Sequence, residues 1–173
     1  MLPKLTLVLG GAASGKSHHA ETLAKRTGLP LIYIATAQIF DDEMAAKVSK
    51  HKKMRGDDWT TIEEPIEVAK ALKKVNAGHT VLIDCATLWL TNVLLGEHDL
   101  ERAQSDLLDA LQTCKSPVVV VSNEVGQGIV PDNKLARQFR NAQGALNQAL
   151  AAQADRVVAV MAGLPLTLKE PSA

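Results

Sequence analysis

Along this chain short apolar runs alternate with longer stretches in which apolar residues recur every three or four positions. Short runs bounded by turn formers suit strands buried on both faces, and the periodic stretches suit helices laid across them. The pattern predicts strands at residues 4–9, 31–35, 80–84, 117–122 and 156–161. After Gly163-Leu164-Pro165, residues 164–168 read as an edge strand or hairpin partner, and 59–63 as a weaker strand or a loop. Helices are predicted at 15–26, 41–54, 65–75, 87–95, 99–114 and 131–154. Asp41-Asp42-Glu43 places acids in a first turn, Pro65 and Pro131 suit first helical positions, and Gly28 and Gly78 suit helix ends. The alternation gives an α/β class with a mostly parallel sheet flanked by helices, one domain over residues 1–173.

Composition narrows the partners. With 173 residues, 46% of them hydrophobic, the chain can build one core without a metal or disulfide framework. Its formal net charge is zero, so no global basic field invites nucleic acid or a membrane surface, and any anion recognition must be local. Cys85 and Cys114 have no metal-ligand spacing and suit a reducing compartment; Cys85 reads as a small buried residue ending a strand. Residues 1–4 run into the first strand without a leader pattern, and no apolar stretch approaches the roughly 20 residues that span a bilayer. The expectation is a cytoplasmic protein with no membrane insertion.

The chemistry begins where the first strand breaks into Gly10-Gly11-Ala12-Ala13-Ser14-Gly15-Lys16-Ser17, which fits G-x-x-x-x-G-K-[ST] at every specified position. Glycines let backbone amides wrap a polyphosphate, a helix N-terminus faces the anion, Lys16 supplies charge, and Ser17 supplies a Mg²⁺ ligand. The strand-then-helix setting predicts a P-loop NTPase-like, RecA-like fold binding a nucleoside triphosphate. Asp84, ending a buried strand, is the candidate second Mg²⁺ ligand; a strand-terminal Asp equally suits a cap for the helix starting near Thr87.

A second informative segment, residues 47–55, holds five Lys or Arg and His51 in nine residues of a neutral chain. On a helix Lys47, His51 and Arg55 share one face, while Lys50, Lys52 and Lys53 read as a solvated surface. Neutral imidazole is a good nucleophile toward phosphorus; nearby cations disfavour its charged form and stabilise a polyphosphate leaving group. A third segment, residues 121–131, is polar and glycine-containing and follows a strand end, where open α/β sheets place ligand contacts. An ordinary strand-to-helix connection has the same composition. Beyond it, Arg137, Arg140, Asn141 and Asn147 suit a phosphate, a neighbouring subunit or water.

Taken together, GGAASGKS at 10–17, YIATAQ at 33–38, DDEMAAKVSKHKKMR at 41–55 with Trp59, Glu63-Glu64-Pro65, VLIDCATLWLTN at 81–92, NEVGQGIVP at 123–131, LARQFRNAQGALNQALAAQADRV at 135–157 and AGLPLTLK at 162–169 form an ordered set. That set resembles the bifunctional adenosylcobinamide kinase / adenosylcobinamide-phosphate guanylyltransferase family of cobalamin biosynthesis. The resemblance implies phosphorylation of adenosylcobinamide with ATP or GTP. Transfer of GMP from GTP to the resulting phosphate then releases pyrophosphate. It also implies a covalent GMP-histidine at His51, while Lys16 stabilises charge in the kinase step, and GTP contacts from the loop Gly10 to Ser17 and from Thr36, Ala37, Gln38, His51, Lys52, Lys53, Met54, Glu63 and Asp84. Glu63 suits guanine, whose N1–H and amino group a carboxylate accepts from; it also suits a first-turn acid beside Pro65. A homo-oligomer, a trimer by resemblance, is implied. Two positions depart from the family pattern: Ala13, where arginine is common, and Gly56, where proline is common.

Two other functions compete. A P-loop small-molecule kinase without nucleotidyl transfer explains residues 10–17 and Asp84 but leaves His51 without a task. A nucleotide-dependent switch needs a partner protein, and the chain carries no N-K-x-D guanine element.

Overall fold

The computed structural model describes residues 2–38 and 58–171. In chain order the described elements are β1 (Leu5–Gly10), α1 (Lys16–Lys25), β2 (Leu31–Ala35), β3 (Trp59–Glu63), α2 (Val68–Lys73), β4 (Thr80–Asp84), α3 (Ala86–Leu95), α4 (Leu100–Thr113), β5 (Val118–Asn123), α5 (Lys134–Gln153), β6 (Arg156–Met161) and β7 (Leu164–Lys169). The predicted helix at 41–54, with its acidic first turn, lies outside the described residues.

The strands form one seven-stranded sheet in the order β3-β2-β4-β5-β1-β6-β7. Every pairing is parallel except β6 with β7, which is an antiparallel hairpin. Strand alternation divides the core in two. Leu5, Leu7, Ile32, Ile34, Val81, Ile83, Val118 and Val120 face a cluster completed by Leu72, Trp89, Leu90, Leu107, Leu111, Leu146 and Leu150 of α2 to α5. Val8, Tyr33, Leu82, Val119, Val121 and Val160 face Ala20 and Ala24 of α1. The chain leaves β1 toward β2 on one side, and returns from β5 to β6 on the other. β1 therefore sits where the strand order reverses, the place where such sheets bind ligands at their carboxyl ends.

The ambiguous segment 59–63 is a strand, the parallel edge partner of β2. Its weak pattern follows from that position: Trp59 is buried, but Thr60, Thr61 and Glu63 are exposed. Two helix starts differ from the proline-based expectation. α2 begins after Glu67 and α5 after Asn133, whose Oδ1 accepts from the Ala136 amide at 2.7 Å. A side-chain oxygen satisfying an orphan amide fixes the start of α5 more strongly than the φ preference of Pro131. α3 is capped by Cys85, whose sulfur accepts from the Leu88 amide at 3.5 Å, which leaves the Asp84 carboxylate free of that role.

Among the described residues no helix is long and apolar enough to cross a membrane. A cavity of about 1100 Å³, lined by Lys4, Arg26, Thr113 and Arg156, opens at the amino ends of the strands, the sheet edge opposite the phosphate loop.

Candidate active site

Gly10 ends β1, and the chain turns through residues 11–15 into α1. The turn needs left-handed backbone twice, at Ala13 (φ 55) and Gly15 (φ 92). Glycine is required at Gly10 for a different reason: a Cβ there would lie 2.4 Å from Ser14 Oγ and 2.6 Å from the Val160 carbonyl. The loop is braced by the Ser14 amide donating to the Gly11 carbonyl at 3.3 Å and by the Gly163 amide donating to the Ser14 carbonyl at 2.8 Å. The β6–β7 turn thus holds the phosphate loop from outside. Gly11, Ala12, Ala13 and Gly15 are exposed, and Ser17 is half-buried in the first turn of α1.

Lys16 folds back so that Nζ donates to the Gly11 carbonyl at 3.0 Å. Burial lowers its pKa from the usual lysine value, with Cys85 and Asp84 pulling the other way. An incoming polyphosphate would add counter-charge and favour the ammonium form.

Asp84 ends β4, two strands from the loop. It alternates onto the α1 face, where the Tyr33 hydroxyl donates to its Oδ2 at 2.9 Å. The Tyr33 ring is held edge-on by Trp59 at 5.8 Å between centroids. One hydroxyl from Ser17 and one carboxylate from Asp84 would supply hard oxygen ligands of the kind Mg²⁺ takes. The residues present fit that ion.

The other predicted contacts occupy the same carboxyl edge. Thr36, Ala37 and Gln38 follow β2, and Glu63 ends β3 in register with Ala35. Thr36 is fully buried, and its hydroxyl both donates to the Cys85 carbonyl and accepts from the Cys85 amide, each at 2.8 Å. Asn92 Nδ2 donates to the Thr36 carbonyl at 2.8 Å and to the Pro65 carbonyl at 3.0 Å. The Thr36 side chain therefore stitches β2 to β4. Glu63 points from the strand's end on the same face as Tyr33 and Asp84; the neighbouring Glu64 takes the turn role, accepting from the Ile66 and Glu67 amides at 3.2 and 2.8 Å. His51, Lys52, Lys53 and Met54, like Lys47, Lys50, Arg55 and Gly56, lie outside the described residues.

A polar network beneath this edge escaped the sequence reading. Ser122 Oγ donates to Asn147 Oδ1 at 2.7 Å, Gln143 Nε2 donates to both at 3.0 Å, and Asn147 Nδ2 donates to the Asn123 carbonyl at 3.0 Å. Asn147 is thus a buried strut. Arg137 donates to the Pro131 and Asp132 carbonyls at 3.0 and 2.6 Å and so closes the loop before α5. Tyr33 was missed as well, although a tyrosine hydroxyl on the strand adjacent to a terminal Asp is a readable signal once strand registers are known.

Solved structures resembling this one include the flagellar accessory protein FlaH from Methanocaldococcus jannaschii, with TM-score 0.55 and 13% identity over 99% of this chain and 80% of that one. The RadB recombinase matches with TM-score 0.51 and 18% identity over 91% and 74%. At such identities the likeness is one of fold, that of P-loop NTPases. In sequence the chain is 44% identical to the bifunctional adenosylcobalamin biosynthesis protein CobP of Pseudomonas aeruginosa, over 94% of this chain and 96% of that one. It is 40% identical to the corresponding CobU protein of Escherichia coli and 43% to that of Salmonella typhimurium, each over 95% of this chain and 99% of the relative. With a family profile matching residues 6–168, the chain belongs to the cobinamide kinase / cobinamide phosphate guanyltransferase family.

Proposed function

We propose that this protein phosphorylates adenosylcobinamide with ATP or GTP and then transfers GMP from GTP to that phosphate through a covalent intermediate on His51. The observation that carries this reading is a complete phosphate loop at the carboxyl edge of the sheet, with Asp84 ending a strand two positions away at the same edge, in a chain of this family.

In the first reaction the substrate's alcohol oxygen attacks the γ-phosphorus and the bond to the bridging oxygen breaks, so that the nucleoside diphosphate leaves. Lys16 and the loop amides hold the phosphates in line, and the work is positioning and charge stabilisation. In the second, an imidazole nitrogen of His51 attacks the α-phosphorus of GTP and pyrophosphate leaves. A phosphate oxygen of adenosylcobinamide phosphate then attacks the same phosphorus, breaking the phosphorus–nitrogen bond and giving adenosylcobinamide-GDP. Mg²⁺ bound by Ser17 and Asp84 would offset phosphate charge in both. Thr36, Ala37, Gln38, the 51–54 segment and Glu63 are assigned to GTP, Glu63 to the guanine edge.

A homo-oligomer, a trimer by family resemblance, is part of the reading. It is supported by the exposed Met161, Leu164, Leu166 and Leu168 on the terminal hairpin, an apolar surface suited to burial against another copy. We assign the protein to the cytoplasm, where a nucleotide-using biosynthetic enzyme finds its substrates. Incubation with α-labelled GTP and Mg²⁺ tests the chemistry: an acid-labile, alkali-stable label on the wild type and none on His51→Ala is expected. An equal label on both would overturn the assignment, and size-exclusion chromatography with light scattering checks the oligomer.

A further inference from the structure

β5 lies between β1, which carries the phosphate loop, and β4, which carries Asp84. Its last residue, Asn123, is in register with Gly10, and the next amide, of Glu124, donates to the Gly10 carbonyl at 3.1 Å. Asn123 therefore stands beside the first glycine of the loop, two residues beyond Val121, the register partner of Asp84.

Its backbone is fully committed. The amide donates to Thr87 Oγ1 at 2.8 Å, and the carbonyl accepts from Asn147 Nδ2 at 3.0 Å. Both partners belong to the buried network with Ser122 and Gln143, so the end of β5 is held from two helices. The side chain is the opposite case: among the described residues Oδ1 is buried and has no hydrogen-bond partner. By strand alternation Asn123 shares the face of Val119 and Val121, the α1 face onto which the phosphate loop turns. A desolvated carbonyl oxygen without a donor is costly to keep, and a rigid frame around it is what a site for a ligand donor requires.

We propose that Asn123 Oδ1 accepts a hydrogen bond from the hydroxyl of the alcohol substrate during phosphoryl transfer, holding the oxygen's lone pair toward the γ-phosphorus. The inference rests on the kinase reading above and adds a residue to it. A carboxamide is not a base, and it need not be one. In a loose phosphoryl-transfer transition state the nucleophile keeps its proton until bonding to phosphorus is advanced. The new oxygen–phosphorus bond forms, the bond to the leaving diphosphate breaks, and the proton passes to an oxygen of the transferred phosphoryl group and then to solvent. Guanylyl transfer has no such need, because its acceptor is a phosphate oxygen that carries no hydroxyl proton to orient.

The two activities supply the control. In Asn123→Ala, kcat for phosphorylation of adenosylcobinamide should fall by about ten- to a hundredfold, the scale of lost orientation. The KM for nucleotide and the rate of GMP transfer to adenosylcobinamide phosphate should stay within about threefold. Asn123→Asp keeps an acceptor oxygen and should retain more kinase activity than Asn123→Ala, with a new rise in rate as its carboxylate ionises. Melting temperatures establish that each variant is folded, and Asn123→Ser replaces the alanine variant if that one is not. Equal loss of both activities, a weaker affinity for GTP but not GDP, or an unchanged kinase rate would each overturn the proposal. A wild-type protein that does not phosphorylate adenosylcobinamide would instead overturn the functional reading.

Discussion

The Tyr33 hydroxyl donates to Asp84 Oδ2 at 2.9 Å across adjacent parallel strands, in register as Tyr33 with Leu82 and Ala35 with Asp84. The bond fixes one carboxylate oxygen of Asp84. Partners behind a metal-binding carboxylate commonly change metal affinity by 10–100-fold, and a single neutral hydroxyl belongs at the low end. Tyr33→Phe keeps the ring against Trp59. It is expected to raise the Mg²⁺ concentration for half-maximal activity about tenfold in both reactions while costing about 1 kcal/mol of stability or less. Mg²⁺ titrations of both activities check this; recovery at saturating Mg²⁺ separates a metal effect from a folding one.

Lys16 makes nucleotide binding depend on pH. Burial lowers its pKa below the usual 10.5, so in the free protein the charged form is disfavoured. Between the lowered value and 10.5 the unfolded chain binds more protons than the native one, and this group's contribution to stability rises with pH across that window. A bound triphosphate reverses the preference by stabilising the ammonium. GTP affinity should therefore weaken as pH rises through the lowered pKa, with proton uptake on binding in the same window. Calorimetry in buffers of different ionisation enthalpy measures that uptake. Lys16→Met should abolish it and lower both turnover rates by about 100- to 1000-fold.

The buried amides of α5 are structural, and their loss should be felt first in stability. Asn147→Ala removes the acceptor for Ser122 and Gln143 and the donor to the Asn123 carbonyl at once. Leaving such groups unpaired in the interior costs roughly 1–3 kcal/mol each, so a loss of about 2–4 kcal/mol is expected, partly relieved by relaxation. Denaturant unfolding measures it. Asn141, exposed on the same helix, is the control, and Asn141→Ala should change stability by less than about 0.5 kcal/mol.

Asn141 and Asn147 also show which parts of the molecule were legible in advance. In sequence both are polar residues of one helix; only the partner Ser122, distant in sequence, makes one of them interior. The phosphate loop, β4 and Asp84 were readable because their signals are local: an apolar run, a glycine pattern, a terminal acid. β3 was half-readable because an edge strand buries one face only, and just Trp59 marks it fully. The starts of α2 and α5 were misplaced at prolines because the Asn133 cap and the turn accepting at Glu64 compete with proline's φ preference. Tyr33 and the clamp of Gly163 on Ser14 depend on register and on a contact 149 positions apart in number, which no window along the chain contains.

That clamp yields the last prediction. Ala162 and Gly163 form a two-residue turn with φ of 51 and 78, both left-handed, between the paired Met161 and Leu164. Such turns match the twist of antiparallel strands, and they favour asparagine or glycine at the first position and glycine at the second. A Cβ at Gly163 meets nothing within 4 Å, so Gly163→Ala is resisted by the backbone alone. Left-handed strain costs roughly 1–2 kcal/mol, and relaxing it shifts the amide that donates to the Ser14 carbonyl. Gly163→Ala should therefore lower the melting temperature and also raise the KM for GTP severalfold, although the turn contains no residue assigned to the nucleotide. Ala162→Asn relieves strain at the neighbouring position without touching that hydrogen bond. It should raise the melting temperature, by the equivalent of about 0.5–1 kcal/mol, with nucleotide KM unchanged. Thermal melts paired with GTP saturation curves for the two variants separate the turn's contribution to folding from its hold on the phosphate loop.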